Sequence, residues 1–288
     1  MEWERAKTYL LLFFVLLNLT LGGLLLYERR RYTVTPEREQ AIITIMNRNN
    51  IEMDTRFMRR FPPMRGMYVA GFYYDEYQLI DIFFDGAEDV QHVNTLRERI
   101  FSYGPAELRI AHGFVSYVNP DGHGGPEGWL SELNHTEAQR LTDAFVQANW
   151  RDFRLDDVFV GPDMLRLSYR QVYRGHLIHT NFIEFIVTHN GIVQIEMQFA
   201  RVQEWADEAR PIVAPDIALL TFVRRVQAHA LAQYNPIVID HMDLVYFQME
   251  GSPNPYASYQ IVPFYRIFID GEGLDPFLIN AFTNEIIN

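Results

Sequence analysis

Residues 9–27 read YLLLFFVLLNLTLGGLLLY, a run of 19 residues without a charge. A helix of this length reaches about 28 Å, close to the roughly 30 Å hydrocarbon core of a bilayer. A cleaved signal peptide and a buried core helix are the alternatives. Gly22 and Gly23 are followed by three leucines, which leaves no small-x-small cleavage site, and the run is long for a core helix. We therefore predict a retained, membrane-spanning anchor.

Small and polar residues interrupt this apolar span at Asn18, Gly22 and Gly23. Within membranes such residues let helix backbones approach closely or form hydrogen bonds between helices. We expect these three positions to contact the transmembrane helices of partner proteins. The alternative is that they face lipid or headgroups without a specific contact.

The charge of the chain differs between the anchor and the remainder. The sequence has 25 Lys plus Arg and 37 Asp plus Glu, a formal net charge of −12, of which residues 1–31 contribute +2 and residues 32–288 contribute −14. An acidic domain does not suit nucleic acid, whose phosphates require a basic surface. Basic residues flank the span on both sides, so charge counting alone leaves its orientation open.

Composition excludes several kinds of chemistry. The chain has no cysteine, which removes disulfides, Cys-ligated metals and thiol nucleophiles, and its one lysine is Lys7. No Gly-x-Ser-x-Gly, His-Glu-x-x-His or phosphate-binding Gly-x-x-x-x-Gly-Lys motif is present. We therefore predict no catalytic residues, no cofactor and no metal site.

The histidines and paired acids give no convincing alternative. His176 and His179 are three apart on a predicted strand, so their side chains should point to opposite faces. His112 and His123 flank a glycine-rich loop without a ligand spacing. The acidic sets favour solvated strand or hairpin residues over a calcium site or a glycosidase pair; these sets are Asp156 with Asp157, Glu184 with Glu196, and residues 270–275.

Beyond the anchor the pattern is typical of an α+β protein with helices packed on antiparallel sheets. We predict a helix from Thr35 to Asn50, strands within 61–84, a helix over 87–101 and a strand over 114–118. Residues 119–128 contain four glycines and two prolines, which favours a linker. This predicts an anchor over 1–31, an N-terminal domain over 32–128 and a C-terminal domain over 129–288.

A helix followed by an antiparallel meander is predicted twice after residue 128. The first helix begins at a Thr136 and Gln139 capping box and the second at Pro215. Their predicted buried residues are Ala138, Leu141, Phe145 and Ala148 in the first, and Leu219, Val223, Val226 and Ala230 in the second. Predicted strands follow over 165–173, 178–187 and 193–199, and then over 244–250, 259–270, 278–282 and 285–287. The repeated unit resembles the small domains called PepSY.

Short motifs at the two ends of the chain carry a family resemblance. Residues 1–8 read MEWERAKT, with Trp3, Arg5 and Lys7, and lead directly into the span that contains Asn18. Residues 262–267 read VPFYRI, with Pro263, Tyr265 and Arg266, and residues 279–283 read INAFT, with Asn280 and Ala281. The opening looks like the start of the YycI family, and the closing segments look like the final strands shared by YycI and YycH.

This resemblance implies a bitopic membrane protein with a cytoplasmic N-terminus and its large domain outside the cell. It would act with YycH, through transmembrane and exterior contacts, on the essential WalK (YycG) sensor histidine kinase that controls cell-wall metabolism. Two other functions stay open on the residues alone. One is an extracytoplasmic module that binds a cell-wall or lipid component, and the other is a tethered hydrolase that uses acidic residues.

Overall fold

The computed structural model describes residues 2–71, 74–96, 98–111, 113–123, 129–130, 132–228, 236–248, 258–270 and 275–287. The helices within these ranges are α1 (Glu2–Arg31), α2 (Pro36–Arg48), α3 (Glu76–Phe84), α4 (His135–Asn149) and α5 (Pro215–Ala228). The strands are β1 (Ile51–Met53), β2 (Met67–Gly71), β3 (Gln91–Asn94), β4 (Arg99–Tyr103), β5 (Ala106–Ala111), β6 (Phe114–Val118), β7 (Phe153–Val160), β8 (Leu165–Tyr173), β9 (His176–Thr188), β10 (Gly191–Gln198), β11 (Ala200–Trp205), β12 (Ile237–Gln248), β13 (Tyr259–Ile269), β14 (Phe277–Asn280) and β15 (Ile286–Ile287). The predicted α+β class is confirmed.

Helix α1 contains a stretch, Arg5–Leu24, that is long and apolar enough to cross a membrane. None of this stretch is buried against the rest of the chain. Leu10, Phe13 and Leu19 each leave more than 60% of their surface exposed, which is unfavourable in water and expected in lipid. The helix therefore fits single-pass anchoring.

The described strands form one sheet that is mostly antiparallel. Its main path runs β11-β2-β13-β12-β9-β10-β6-β5-β4-β3, with β1, β7, β8, β14 and β15 paired off this path. Only the β9–β12 and β1–β12 pairs are parallel within the described ranges.

Both predicted repeats are present as a helix followed by a meander. Helix α4 precedes the antiparallel series β7, β8, β9 and β10, and α5 precedes β12, β13, β14 and β15. The parallel pairing of Val245 with Leu177 and of Tyr246 with Ile178 joins the two copies through β12 and the start of β9. The predicted helix-plus-meander repeat is thus confirmed.

Two large apolar cores lie along this sheet. One is built around α3 and α4, including Leu79, Phe83 and Ala138 with strand residues such as Ile195. The other is built around α2 and α5, with Ile42 and Met46 packed near Leu219 and Phe222. In the second helix the predicted residues Leu219, Val223 and Val226 are buried, and Ala230 lies outside the described residues.

Backbone pairing crosses the boundary predicted near residue 128. Strand β6 pairs with β10, β1 pairs with β12, and β2 lies between β11 and β13. Residues on both sides of the boundary also share each of the two cores. The division into two domains stays a prediction, but the two segments are joined through one sheet.

The glycine-rich segment predicted as a linker is fixed to the β9–β10 hairpin over its described part. Asn119 donates to the Gly122 carbonyl at 2.8 Å, and Asn190 donates to the Pro120 carbonyl at 3.0 Å. Gly122 has φ of +85°, and a Cβ there would lie 1.7 Å from the Asn190 carbonyl oxygen. Its glycine is therefore required by close backbone approach, and residues 124–128 lie outside the described ranges.

Two predicted elements in the N-terminal part were wrong. The run 79–84 was predicted as a strand but forms most of α3, because Asp75 caps the helix by accepting from the Tyr77 and Gln78 amides. Residues 87–101 were predicted as a helix, but their described part contains β3 and the start of β4. The Thr95 amide donates to the Glu98 carbonyl at 2.9 Å between these strands. Cross-strand pairing with β5 then overrides the weak helical pattern.

The start of α4 also differs from its prediction. Asn134, rather than Thr136, is the N-cap, and its side-chain oxygen accepts from the Glu137 amide at 3.0 Å. Thr142 and Val146 are buried beside the predicted Ala138, whereas Ala148 is exposed. Strand β7, which the sequence pattern does not predict, follows this helix.

Candidate functional site

The three predicted contact residues of the anchor lie on two sides of α1. Asn18 and Gly22 are four residues apart and share a face, whereas Gly23 is turned by about 100° and shares its side with Thr20. A Cβ at Gly22 or Gly23 would meet nothing within 4 Å. The Asn18 amide donates to the Phe14 carbonyl at 2.8 Å, so one of its polar groups is satisfied within the helix. Both sides are open to lipid or to another helix.

The amino-terminal motif residues lie on one turn at the start of α1. Lys7 lies 5.4 Å from the centroid of the Trp3 ring, and Trp3 and Arg5 are exposed. The ammonium–ring contact between residues four apart is favourable and local. These residues are placed by helix geometry and are exposed.

The two carboxyl-terminal motif segments are brought together by the pairing of β13 with β14. Tyr265 is opposite Ile279 and Phe264 is opposite Asn280, and the Ala281 amide donates to the Pro263 carbonyl at 2.9 Å. Asn280 is buried, and its side-chain oxygen accepts from the amides of Phe282 and Thr283. The motif therefore has a structural role: it closes the turn after β14 and fastens that turn to β13.

Tyr265, in the same motif, forms a hydrogen bond to the segment before α5. Its buried hydroxyl donates to the Val213 carbonyl at 2.6 Å, and burial is the main cause that raises its pKa. The tyrosine therefore stays neutral and acts as a hydrogen-bond donor in the core.

Arg266 is the centre of a buried ion-pair network. Only 2% of its side chain is exposed, and two carboxylates each hold it with two hydrogen bonds. Its Nε and Nη2 donate to Asp243 at 3.0 and 2.7 Å, and its Nη1 and Nη2 donate to Asp156 at 2.5 and 2.8 Å. Burial by itself lowers the pKa of Arg266, but the hydrogen bonds and charges of both carboxylates outweigh burial and raise it.

Three strands supply this network. Asp243 of β12 is the direct cross-strand neighbour of Arg266 on β13. Asp156 lies where the β7–β8 register shifts between Leu155 and Asp157, and such a bulge turns a side chain out of the regular alternation. The sequence interpretation of Asp156 as a solvated strand residue was therefore wrong, since its carboxylate is only 8% exposed.

Arg170 extends the network toward β9. Its Nη2 donates to Glu184 at 3.2 Å, its Nε lies 3.7 Å from Asp156, and its guanidinium lies 5.0 Å from the Phe182 ring centroid. Burial is the main cause that lowers the pKa of Arg170, and Glu184 and Asp156 oppose it. The network thus holds two guanidinium groups between three carboxylates.

His179 joins the network as a neutral ring. Its Nδ1 lies 3.4 Å from Arg266 Nη1, and its ring centroid lies 5.5 Å from that of Phe247. Burial, helped by the charges of Arg170 and Arg266 and opposed by Asp156, lowers the pKa of His179 to about 3. His176 instead packs between Trp205 and Tyr246, so the two histidines have separate surroundings.

A cavity of about 390 Å³ opens beside this network. Its walls are Arg170, His179, Thr180, Phe182, Glu184, Gln198, Phe247 and Gln248. Among the described residues, Arg170 Nε and Thr180 Oγ1 are buried without a hydrogen-bond partner. Unsatisfied buried polar atoms are costly unless water or a ligand binds them. The cavity combines two aromatic rings with several polar groups, an arrangement suited to a small polar molecule.

The remaining sequence candidates do not form a reactive site in the described ranges. Glu184 and Glu196 are opposite each other on β9 and β10, but Arg170 holds the first and Gln194 donates to the second at 2.8 Å. His123 is surrounded by Phe83, Tyr117 and Phe145 rings. His112 and residues 271–274 lie outside the described ranges, within which no group of three His, Cys, Asp or Glu could hold a metal.

Arg266 and Asp156 occur in unrelated sequence patterns, and their pairing is not visible from the sequence. One signal was present: Arg266 is the only charged residue in the otherwise apolar or neutral strand Tyr259–Ile269. A charge in such a strand requires buried counter-charges, although their positions 23 and 110 residues away cannot be read from spacing.

Comparisons with known proteins inform the fold. No protein-family model and no curated protein sequence matches the chain. An uncharacterized protein from Eubacterium rectale ATCC 33656 is similar in structure, with a TM-score of 0.52, 12% identity, and coverage of 83% of this chain and 90% of that chain. The C-terminal domain of YpeB from Bacillus megaterium gives a TM-score of 0.40 and 9% identity, over 75% of this chain and 98% of that domain. At 12% identity the first similarity concerns the fold alone.

Proposed function

We propose that the protein is a noncatalytic, membrane-anchored regulator that works with a YycH-like partner to modulate the WalK (YycG) sensor histidine kinase. The observation that carries this proposal is the anchor stretch Arg5–Leu24, none of which is buried within the chain. A helix that packs on nothing in its own chain has its whole surface available to other helices in the membrane. The motifs at both ends of the sequence support this choice of partners.

The two open sides of α1 suit two partner helices. The Asn18–Gly22 side and the Thr20–Gly23 side are roughly opposite each other around the helix axis. We assign one side to the kinase and the other to the YycH-like protein. The α+β domain then lies outside the cell, and its strands pair in one sheet.

A reconstituted kinase assay tests this proposal. Full-length protein, the YycH-like partner and the kinase are placed together in proteoliposomes, and autophosphorylation of the kinase is measured with and without this chain. We expect the chain to change the autophosphorylation rate, and the Asn18→Leu/Gly22→Leu/Gly23→Leu variant to lose most of that effect because leucine prevents close helix approach.

The matched control enlarges side chains on a third side of the helix. Leu10→Phe/Leu17→Phe adds bulk at exposed positions away from both contact sides and should keep the effect of the wild-type chain. An autophosphorylation rate that the wild-type chain leaves unchanged would refute the proposal. Equal effects of both variants would refute the assigned contact sides.

The cavity favours a second candidate function, an extracytoplasmic module that senses a small cell-wall or lipid component. Its Phe182 and Phe247 rings offer apolar faces, and Arg170 and Thr180 offer unsatisfied donors. Thermal unfolding of the full-length protein with soluble cell-wall fragments and lipid headgroups tests it. We expect one compound to raise the melting temperature, and Thr180→Phe, which fills the cavity, to abolish the rise. If no compound stabilises the wild type, this candidate is rejected.

A further inference from the structure

A group of exposed arginines surrounds the point where the chain leaves the anchor helix. We define the basic collar as Arg30, Arg31, Arg56, Arg59 and Arg60, all of which are exposed. Arg30 and Arg31 end α1, and the other three lie in the segment between β1 and β2. These two segments are distant in sequence, so their proximity must come from the fold.

Backbone hydrogen bonds fasten the second segment to the end of the anchor. Thr33 forms an antiparallel bridge with Arg60, the Val34 amide donates to the Arg59 carbonyl at 2.8 Å, and the Phe61 amide donates to the Tyr32 carbonyl at 3.1 Å. The Cα atoms of such a bridge lie about 5 Å apart. Arg60 is therefore held as close to the bilayer as Thr33 is.

The depth of this point follows from the length of α1. Arg31 lies four residues beyond Tyr27, the last residue of the uncharged run, which is about 6 Å along the helix. Headgroups extend the roughly 30 Å hydrocarbon core to about 40–45 Å, so Arg31, Thr33 and Arg60 lie at headgroup depth. At that depth, arginines are attracted to anionic lipid over about one Debye length.

The distribution of charge along the chain also favours an anionic surface next to the collar. Residues 28–60, which follow the uncharged run, carry eight basic and five acidic side chains, whereas residues 61–288 carry 15 arginines and 30 acidic residues, a formal net charge of −15. An anionic surface therefore attracts the end of the domain next to the anchor and repels the remainder. Charge complementarity selects one face of the domain to lie on the bilayer.

A groove next to the collar gives a headgroup room to enter. It has a volume of about 1150 Å³, and Arg56, Arg59 and Arg60 line it together with the half-buried Phe57 and Met58. Glu39 and Glu52 also line it, and Glu39 neutralises part of Arg59 through contacts at 2.6 and 3.3 Å. Arg56 and Arg60 have no ion pair among the described residues and provide the free positive charge.

We propose that the basic collar binds the headgroups of anionic phospholipids and thereby docks the domain on the membrane in one orientation. The collar supplies guanidinium groups that form charge-assisted hydrogen bonds with phosphate. This docking needs no partner protein, so it is independent of the kinase proposal and is tested on this chain alone.

Fluorescence quenching in nanodiscs tests the docking. The chain has no native cysteine, so Thr55→Cys, which lies in the groove, accepts a single fluorophore on the full-length protein. Nanodiscs of phosphatidylcholine alone are compared with nanodiscs of phosphatidylcholine and an equal amount of phosphatidylglycerol, each with a headgroup spin label as quencher. We expect the docked-to-undocked ratio to be at least about tenfold higher with phosphatidylglycerol and to fall as salt is added.

Charge reversal identifies the collar as the cause. Arg56→Glu/Arg60→Glu should reduce quenching in phosphatidylglycerol to the level seen in phosphatidylcholine, whereas Arg140→Glu/Arg151→Glu, an exposed pair on and after α4, should leave it unchanged. Equal quenching of the wild-type probe in the two lipid mixtures overturns the proposal without any variant. The proposal is also overturned if Arg56→Glu/Arg60→Glu and Arg140→Glu/Arg151→Glu lose quenching to the same extent.

Discussion

At the scale of single residues, the buried arginine of β13 is the most demanding feature of the fold. Arg266 forms two bidentate ion pairs, and its partners come from β12 and β7. A buried charge is tolerable only when counter-charges and hydrogen bonds replace its water. The network therefore fixes the positions of three strands relative to one another, since no partner can move without leaving a charge unpaired.

Removing this arginine should be strongly destabilising. Arg266→Met leaves Asp156 and Asp243 without their buried partner, and we expect a loss of about 3–5 kcal/mol in the free energy of unfolding. Chemical denaturation in detergent, followed by tryptophan fluorescence, measures it. The control is Arg266→Met combined with Asp156→Asn and Asp243→Asn, which removes the charges together and should recover part of the loss. A loss below about 1 kcal/mol in the single variant would contradict the assigned role.

His179 should make the stability of the protein depend on pH. Its pKa is lowered from 6.5 in an ordinary environment to about 3, with burial as the main cause, so the folded protein binds this proton less well than the unfolded chain. Above about pH 7 neither state binds the proton, so the folded protein has its full stability. As the pH falls through 6.5 toward 3, the unfolded chain binds the proton and the folded protein does not, so stability declines. The free energy of unfolding should fall by up to about 1.4 kcal/mol per pH unit in that window.

Denaturation at about pH 7 and about pH 5 tests this dependence. His179→Gln removes the titrating group and should reduce the decrease, while His189→Gln, at an exposed hairpin position, should not alter it. If the decrease in the free energy of unfolding from about pH 7 to about pH 5 is the same in His179→Gln as in His189→Gln, His179 is not the group responsible.

At the scale of elements, sequence patterns predicted the long and regular parts. Helix α2 and strands β8, β9, β10 and β13 lie within a few residues of their predicted bounds, because their periodicity extends over many residues. The short apolar run of α3 fits a helix and a strand equally well, and only the Asp75 cap decides between them. Strand β4 pairs with β5 and β3 pairs with β4, and no local pattern reveals this pairing.

The N-cap of α4 allows the cap residue observed in the structure, Asn134, to be tested against the one predicted from the sequence, Thr136. Asn134→Ala removes the side-chain acceptor of the Glu137 amide and should cost about 1 kcal/mol of stability. Thr136→Ala, at the cap position predicted from sequence, should change stability by less than about 0.5 kcal/mol because Thr136 is an exposed residue inside the helix. Thermal unfolding of both variants in the same detergent compares them; an equal loss in each would contradict the observed cap.

At the scale of the whole molecule, the chain combines an unburied apolar helix, a basic end and an acidic remainder. The anchor and the doubled helix-plus-meander order could be predicted from the sequence because each depends on local length and periodicity. The ion-pair network and its cavity could not, since Asp156 and Arg266 meet only through the order of strands in the sheet. The N-terminal segment contributes to both apolar cores for the same reason, because strands distant in sequence are neighbours in the sheet.

The central claim is that the anchor helix contacts partner helices in the membrane, and crosslinking along α1 tests it most directly. Single cysteines at successive positions from Val15 to Leu24 are introduced into the naturally cysteine-free chain and crosslinked in membranes that contain the kinase and the YycH-like protein. The account predicts crosslinks that recur with a helical period, strongest at Asn18 and Gly22 for one partner and at Thr20 and Gly23 for the other. Crosslinking that is absent, or equal at every position around the helix, would contradict it.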